Sequence, residues 1–389
     1  MKNELPPPGA DALAHSALLS QRITAEITAA GGWISFARFM EMALYTPGLG
    51  YYSGGARKFG PEGDFITSPE ISPLFGRSLA RQVAQVLAAS MPHVIEVGAG
   101  TGLLACDLLA ELEALGCTPV HYDIIELSGE LRARQAENLQ TKVPHLADRV
   151  RWLDALPEQF SGCLVANELL DVLPVQLVAW RQGGIFERGV IWDAAQEKFD
   201  WQDRPAAGRL LGVAESLGVE SPEEGEYLSE VCLPARAWVA EWGARLSQGA
   251  LILIDYGYPQ AEYYLPSRTS GTVQCYYRHR AHTDLLLWPG LNDITSFVDF
   301  TAVAEAADEA GLAVYGYTTQ ASFLNNCGLL ALLETIGASD EAPYVRASRA
   351  ALRLIAPHEM GELFKVLIIG REMDSRLIGL ATGDRTHAL

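Results

Sequence analysis

Apolar and polar positions change their period along this chain, and the changes mark its elements. From Ser16 to about Ala30 apolar residues recur three and four apart, which predicts a helix. Ser35 stands before "FARFMEMAL" and predicts a second helix capped by that serine. A glycine-rich aromatic stretch, "YTPGLGYYSGGARKFGPEGDF", then reads as loop, and a helix follows from about Pro73 to Ala89. Beyond it, short apolar runs alternate with helical patterns. "HVIEVGAG" is followed by a helix at Leu103–Leu115, "HYDIIEL" by one at Gly129–Leu139, and "RVRWLDAL" and "GCLVANELL" add two more strands. A helix around Ala235–Ser247 precedes the strand "GALILIDYG". Phe300–Ala310 reads as helix, "AVYGYTTQ" as strand, Ala321–Thr335 as helix and "LFKVLIIGR" as a last strand. Such alternation predicts an α/β fold, a mainly parallel sheet with helices on both faces. Val175 to about Pro234 breaks the rhythm with segments that read as antiparallel strands and acidic loop, an insertion between the fourth and fifth strands.

Composition narrows the class. The chain has 389 residues, 49% hydrophobic and 20% charged, as expected of a folded globular protein. No apolar run reaches membrane-spanning length; the longest, such as Ala250–Ile254 and Val366–Ile369, suit buried strands. The N-terminal "MKNELPPPGADALAHS" has neither an apolar signal core nor an Arg-rich, acid-poor character, so the expected location is the cytoplasm. The formal net charge is −19, and the one local basic cluster is "RHR" at Arg278–Arg280. That balance argues against nucleic acid and anionic membrane as partners and allows cationic ones. The six cysteines are scattered without C-x-x-C spacing, and His279 and His282 have no third ligand nearby, so no metal site is expected.

The strongest chemical signal is "EVGAGTG", Glu96 to Gly102. Glycines 98, 100 and 102 follow a strand and open a helix, where positive φ and close ligand approach favour glycine. The dinucleotide fingerprint would place a glycine where Leu103 stands, and Glu96 before the turn would oppose a pyrophosphate. A carboxylate there suits a cation, which points to S-adenosylmethionine over NAD. Other acids lie at strand ends. Glu126 is placed to accept hydrogen bonds from ribose hydroxyls, Asp154 and Ala155 to meet adenine, and Asn167 and Glu168 to face the methyl donor. Any one of these, taken singly, is equally a loop carboxylate in water.

The sequence resembles the MidA-like family of class I S-adenosylmethionine-dependent methyltransferases, which includes a mitochondrial complex I assembly factor that methylates an arginine. The motifs are "MEMALYTPGLGYY", "GDFITSPEIS", "EVGAGTG", "ANELLDVLPV", "IDYG", "CYYRHRAH" and "PGLNDITSFVDF". The resemblance implies a Rossmann-like seven-stranded sheet whose last two strands form an antiparallel edge, with an N-terminal helical lid and an inserted β-rich substrate region. The expected divisions are 1–75 for the lid, 76–174 for the donor-binding half, 175–234 for the insertion and 235–389 for the rest of the core. The donor contacts expected are Thr67, Ser68, Glu70, Glu96, Gly98, Ala99, Gly100, Gly102, Leu104, Glu126, Leu127, Asp154, Ala155, Asn167 and Glu168.

An arginine acceptor is cationic at neutral pH, and carboxylates must align it and take its proton. Glu168 and Asp171, three apart in "NELLD", are the first candidates, with a helix cap as the other account of Asp171. Asp255 ends a buried strand toward the ligand edge. Tyr256 is placed to stack on a guanidinium or simply to pack, and His279 reads as a base, a substrate contact or a hydrogen-bonded loop residue. Asp293 and Thr295 read as a helix start and Asp299 as a cap for the next helix, or as the floor of an acceptor pocket. Trp180, Trp192 and Trp201 suit a partner surface or a small packed β-layer.

"GDFITSPEIS" carries two roles. Ser72 and Pro73 read as a helix start. The remaining polar residues read as a lid in which Thr67 and Ser68 bond the methionine end of the donor and Glu70 or Asp64 meets a cation. The function expected is methyl transfer from S-adenosylmethionine, yielding S-adenosylhomocysteine, to a protein with arginine as acceptor; a homodimer is left open. An assembly chaperone that keeps the fold, and a small-molecule O-methyltransferase, are the alternatives.

Overall fold

The computed structural model describes residues 5–54, 67–337, 341–373 and 376–389. The chain divides into two compact units, each assembled from separated segments.

The larger unit comprises 66–170, 236–259 and 298–389. Its strands, in chain order, are β1 (His93–Val97), β2 (His121–Ile125), β3 (Val150–Leu153), β4 (Phe160–Asn167), β5 (Leu246–Tyr258), β6 (Ala313–Thr319) and β7 (Phe364–Arg371). They lie in the order β6-β7-β5-β4-β1-β2-β3, and the two-residue strand Val298–Asp299 pairs with the end of β5. Pairing is parallel from β3 through β5 and antiparallel at β7 and β6, as the antiparallel edge required. The order reverses between β1 and β4, which puts the ligand crevice of such a sheet at the carboxyl ends of those two strands.

Continuous apolar runs make these strands buried on both faces. Val94, Val165, Ile252 and Val366 are fully buried, and helices Pro73–Ala89 and Leu103–Ala114 add Leu79, Val83, Leu108 and Leu112 to the same core. Burying each leucine contributes about 2 kcal/mol. The helix starts follow the sequence: Ser72 accepts the Leu74 amide and Asp299 the Ala302 amide. The helix expected over Ala321–Thr335 is instead two, Gln320–Asn326 and Leu329–Gly337, because Gly328 at φ 83° breaks it. A further helix, Glu341–Ile355, lies where no element was expected.

The smaller unit comprises 1–65, 171–235 and 260–297. It includes Gln260–Phe297, a segment that the sequence divisions placed with the core. Helices Ala10–Ala29 and Phe36–Tyr45 bury Leu19, Ile23, Phe39 and Met40 against Leu177, Val190, Cys275 and Ile294. Ser35 caps the second helix by accepting the Arg38 amide. The insertion is antiparallel as expected: Gln176–Arg181 pairs with Gly184–Asp193 and with Tyr227–Val231, and Gly184–Asp193 with Lys198–Pro205. Its tryptophans are packing residues. Trp180 is buried, Trp201 meets Phe36 in a tilted pair at 5.6 Å, and Trp192 meets Phe199 edge-on at 5.1 Å. Glu230 fastens the later segment: its carboxylate accepts the amides of Thr272 and Val273 and the hydroxyls of Tyr263 and Thr272. Four donors offset the desolvation of a fully buried charge.

Candidate active site

The glycine turn leaves the carboxyl end of β1 with Gly98, Gly100 and Gly102 at φ 70°, 52° and 80°. These are left-handed values that side chains resist. Space is also tight at two of them. A Cβ on Gly102 would stand 3.0 Å from Gln135 Cα, and one on Gly98 3.2 Å from Leu169 Cδ1. Gly102 is the N-terminal cap residue of helix Leu103–Ala114, so the helix start faces the turn with unsatisfied amides. Ala99 is buried within the turn. Leu104 is turned away: its side chain is in the core, against the helix that carries Gly76, so it offers the turn only backbone.

Glu96 is not an open carboxylate before the turn. It is buried and accepts the Tyr122 hydroxyl at 2.6 Å. Burial pushes it up to about 7, against the lowering effect of the Tyr122 bond, and the charge of Glu126 adds to the rise.

Glu126 ends β2 and is buried. One oxygen accepts the Ser128 amide at 2.9 Å and the other the Gln135 side-chain amide at 3.2 Å. Burial holds its pKa above the usual carboxylate range despite those bonds. Leu127 beside it is 87% exposed, an apolar side chain left open at a strand end. Asp154 is open too, its side chain 88% exposed, and Arg132 bonds it at 2.6 Å while donating to the Glu126 and Leu153 carbonyls. Ala155 is exposed next to it.

At the end of β4, Asn167 donates its amide to Glu168 at 3.0 Å, and its own Oδ1 is buried with no partner among the described residues. A buried acceptor with no donor is a place for a ligand or water. Glu168 has φ 52°, a left-handed conformation that a glutamate adopts at a cost. Its amide donates to the Ile254 carbonyl on β5, and its carboxylate also accepts the Ser68 amide at 3.3 Å.

Asp255 is 1% exposed and engaged with backbone. One oxygen accepts the Leu170 amide and the other the Tyr256 amide, both at 2.9 Å. It fixes the turn after Glu168 rather than standing open to an acceptor. Tyr256 packs edge-on against Phe364 with 5.4 Å between centroids.

The stretch that reads as a lid is partly described. Asp64 lies outside the described residues. Ser68 starts a four-residue helix and is fully buried, with its hydroxyl toward Gln320 and Met360. That assigns the hydroxyl to core packing and leaves the backbone of Ser68 to meet Glu168. Thr67 and Glu70 are half-buried.

The remaining candidates lie in the smaller unit. Asp171 is buried, and its carbonyl accepts the Ser296 amide. Asp293 sits in the short strand Asp293–Thr295, not at a helix start, and accepts the Tyr52 hydroxyl at 2.9 Å. Burial raises Tyr52 well above the usual tyrosine range, and the nearby Asp293, Tyr45 and Asp171 add to it. Arg278 and His279, at φ 47° and 60°, form the exposed turn between strands Gln274–Tyr277 and Arg280–His282. Two left-handed residues are what a two-residue hairpin turn requires, and that geometry accounts for His279 without chemistry. Neither a metal-holding group of His, Cys, Asp and Glu nor a helix long and apolar enough to cross a membrane occurs among the described residues.

Gln135 and Arg132 are the residues that sequence reasoning missed. Both lie on helix Gly129–Lys142, whose polar face reads as solvent-facing. Gln135 is fully buried all the same, which the local sequence pattern does not signal.

Known proteins fit this geometry. Residues 77–318 match the model of a family of S-adenosyl-L-methionine-dependent methyltransferases, Methyltransf_28. Protein arginine methyltransferase NDUFAF7, mitochondrial, of Danio rerio is 30% identical over 371 residues, covering 86% of this chain and 83% of its own. Its Mus musculus counterpart is 31% identical over 367 residues, covering 86% and 80%. A COG1565 superfamily member from Burkholderia thailandensis, solved bound to S-adenosyl-homocysteine, is 51% identical with a TM-score of 0.95, covering 99% of this chain and 100% of that one. A native crystal structure of a COG1565 protein from the same organism is 50% identical with a TM-score of 0.92, at 99% and 100% coverage. The strand-end acids, the left-handed glycine turn and the match over most of the chain agree, and the chain belongs to this family of S-adenosyl-L-methionine-dependent methyltransferases.

Proposed function

We propose that this protein is a protein-arginine N-methyltransferase. The observation that carries the reading is Glu168, a carboxylate held at left-handed φ at the end of the middle strand of the sheet, beside a buried acceptor with no partner among the described residues. The names of the curated relatives point to the same acceptor.

When bound, S-adenosylmethionine supplies a sulfonium methyl whose departure leaves a neutral sulfur. The glycine turn and the amides opening helix Leu103–Ala114 hold the amino-acid end. Glu126 accepts the ribose hydroxyls, and Leu127, Asp154 and Ala155 border the adenine. Asn167 Oδ1 accepts a donor hydrogen at the methionine end. On the acceptor side, Glu168 pairs with the guanidinium, aligns one nitrogen and takes the proton that the new N–C bond displaces. Asp255 acts through Leu170 as a positioning residue. Asp171 and Tyr256 stay in the proposal as acceptor contacts read from the motif, and His279 leaves it as a turn residue.

A reducing compartment, the cytoplasm, is part of this reading, supported by six free thiols; the curated relatives bear mitochondrial names. The test is radiolabelled transfer into cell extract by the wild type and by Glu168→Gln, followed by mass spectrometry of labelled proteins. Label on arginine that the variant loses by about a hundredfold or more is the expected result. Label on small molecules alone identifies an O-methyltransferase, and donor binding without transfer identifies a chaperone; either overturns the proposal.

A further inference from the structure

Gln135 is wholly buried, yet every polar atom of its side chain is used. Its Oε1 accepts the Trp152 indole N–H at 2.8 Å, and its Nε2 donates to the Gly100 carbonyl at 2.9 Å and to Glu126 Oε2 at 3.2 Å. The orientation follows from chemistry. An indole N–H only donates, and a carbonyl and a carboxylate only accept, so a flipped amide would oppose like groups at three contacts. Gly102 brings the turn against the same residue, with Gln135 Cα 3.0 Å from where a Cβ would stand. Asn138, one turn further, donates to the Thr101 carbonyl at 2.8 Å.

We propose that Gln135 is a positioning residue for the methyl-donor site, setting the glycine turn and the Glu126 carboxylate by a single side chain whose orientation Trp152 locks. The inference rests on the reading of Glu126 as the ribose carboxylate. It reaches a residue whose every side-chain polar atom is taken by protein groups. One amide joins the phase of two recognition groups on different loops, so the turn and the acid move together. The charged groups facing Glu126 are Arg132 on helix Gly129–Lys142 and Glu96 on β1. Arg132 favours the ionised carboxylate and Glu96 opposes it. Against the rise that burial causes, the Gln135 amide is one of the bonds that lower the pKa of Glu126.

The experiment is S-adenosylhomocysteine titration of the full chain by calorimetry from pH 5.5 to 8.5, on wild type, Gln135→Leu, Trp152→Phe and Glu126→Gln. Expected are about tenfold or greater weakening in Gln135→Leu and a smaller loss in Trp152→Phe. In Gln135→Leu the acid-side fall in affinity also begins at a higher pH, because Glu126 protonates sooner. Combining the two substitutions costs no more than Gln135→Leu alone, since the lock has nothing left to hold. A folded Gln135→Leu with lower Tm but unchanged affinity and pH profile overturns the proposal and makes the residue structural. If Gln135→Leu does not fold, Trp152→Phe with wild-type affinity overturns it. Failure of the donor-site reading is distinct: there Glu126→Gln binds as tightly as wild type, or the wild type does not bind.

Discussion

The Asp255 carboxylate accepts the Leu170 amide at 2.9 Å and so ties the end of β5 to the turn that follows Glu168. The same side chain takes the Tyr256 amide with its other oxygen. Asp255→Asn replaces one acceptor by an NH2 that must face a backbone N–H. The expected cost is about 2 kcal/mol of stability. A parallel fall in turnover of roughly tenfold to a hundredfold follows as the turn shifts. Denaturant unfolding and single-turnover transfer measure the two. Full turnover in a destabilised protein would show that the turn tolerates movement.

Glu168 separates function from folding. At φ 52° a glutamate carries about 1–2 kcal/mol of backbone strain that glycine does not. Glu168→Gly also loses the bonds to Ser68 and Asn167. The two effects offset, so the variant unfolds within about 1 kcal/mol of wild type while methyl transfer falls by two orders of magnitude or more. Glu168→Gln keeps the strain and an acceptor oxygen but not the base, and transfers as poorly as Glu168→Gly. Transfer that survives in either variant removes Glu168 from the chemistry.

Asp123 stands midway along β2, and its partner His93 opens β1 at the amino-terminal end of the sheet. Its carboxylate takes both the His93 ring nitrogen at 2.7 Å and a two-point contact from Arg151 at 2.7 and 2.8 Å. Burial works against the charge, but the His93 and Arg151 bonds hold its pKa below the usual aspartate value. A carboxylate with a depressed folded pKa contributes stability above its unfolded value of 3.8, and that contribution is lost as pH falls further. Arg151 is half-exposed, so water screens part of the interaction. Asp123→Asn therefore costs about 2 kcal/mol at pH 7, progressively less as pH falls below 3.8, and leaves S-adenosylhomocysteine affinity unchanged. Altered affinity would mean that the two ends of the sheet are coupled.

Most of the sheet was legible because its signal is local. Apolar runs of strand length, bounded by glycine and by Ser72, Ser35 and Asp299 as caps, announce themselves within a few residues. The strand-end acids were legible for the same reason. The bonds that hold them were not, because they join distant positions. Nothing in "GELRARQAENLQ" says that Gln135 turns inward to Gly100 while Glu137, two residues on, turns out. Glu96 and Leu104 were misplaced by one face: alternation along β1 and the first turn of the next helix point both into the core. The two halves of Ala321–Thr335 merged because Gly328 alone marks the break. Glu230 gave no sign that it collects Gln260–Phe297 into the smaller unit, since four partners supplied from elsewhere in the chain justify its burial.

Glu96 gives a pH test of both stability and binding. Burial holds it protonated up to about pH 7, whereas in the unfolded chain it ionises near 4.5. The raised folded value means that the native state binds the extra proton. Its stabilisation is complete below 4.5 and declines as pH rises toward 7, by up to about 3 kcal/mol. Asp107 and Asp299, pushed up to about 6 by burial, add slopes of the same sign at lower pH. Glu96→Gln keeps a partner for Tyr122 and removes only its own slope, so the wild-type minus variant difference isolates it. The variant is expected to gain on wild type as pH rises from 4.5 to 8, with no difference below 4.5, read from Tm across that range. If the cationic end of the donor meets Glu96, binding favours the carboxylate and expels a proton near pH 6.5. Calorimetry in two buffers of different ionisation heat then shows a heat difference that Glu96→Gln abolishes. Equal heats in both buffers would leave Glu96 as a buried acid that serves Tyr122 alone.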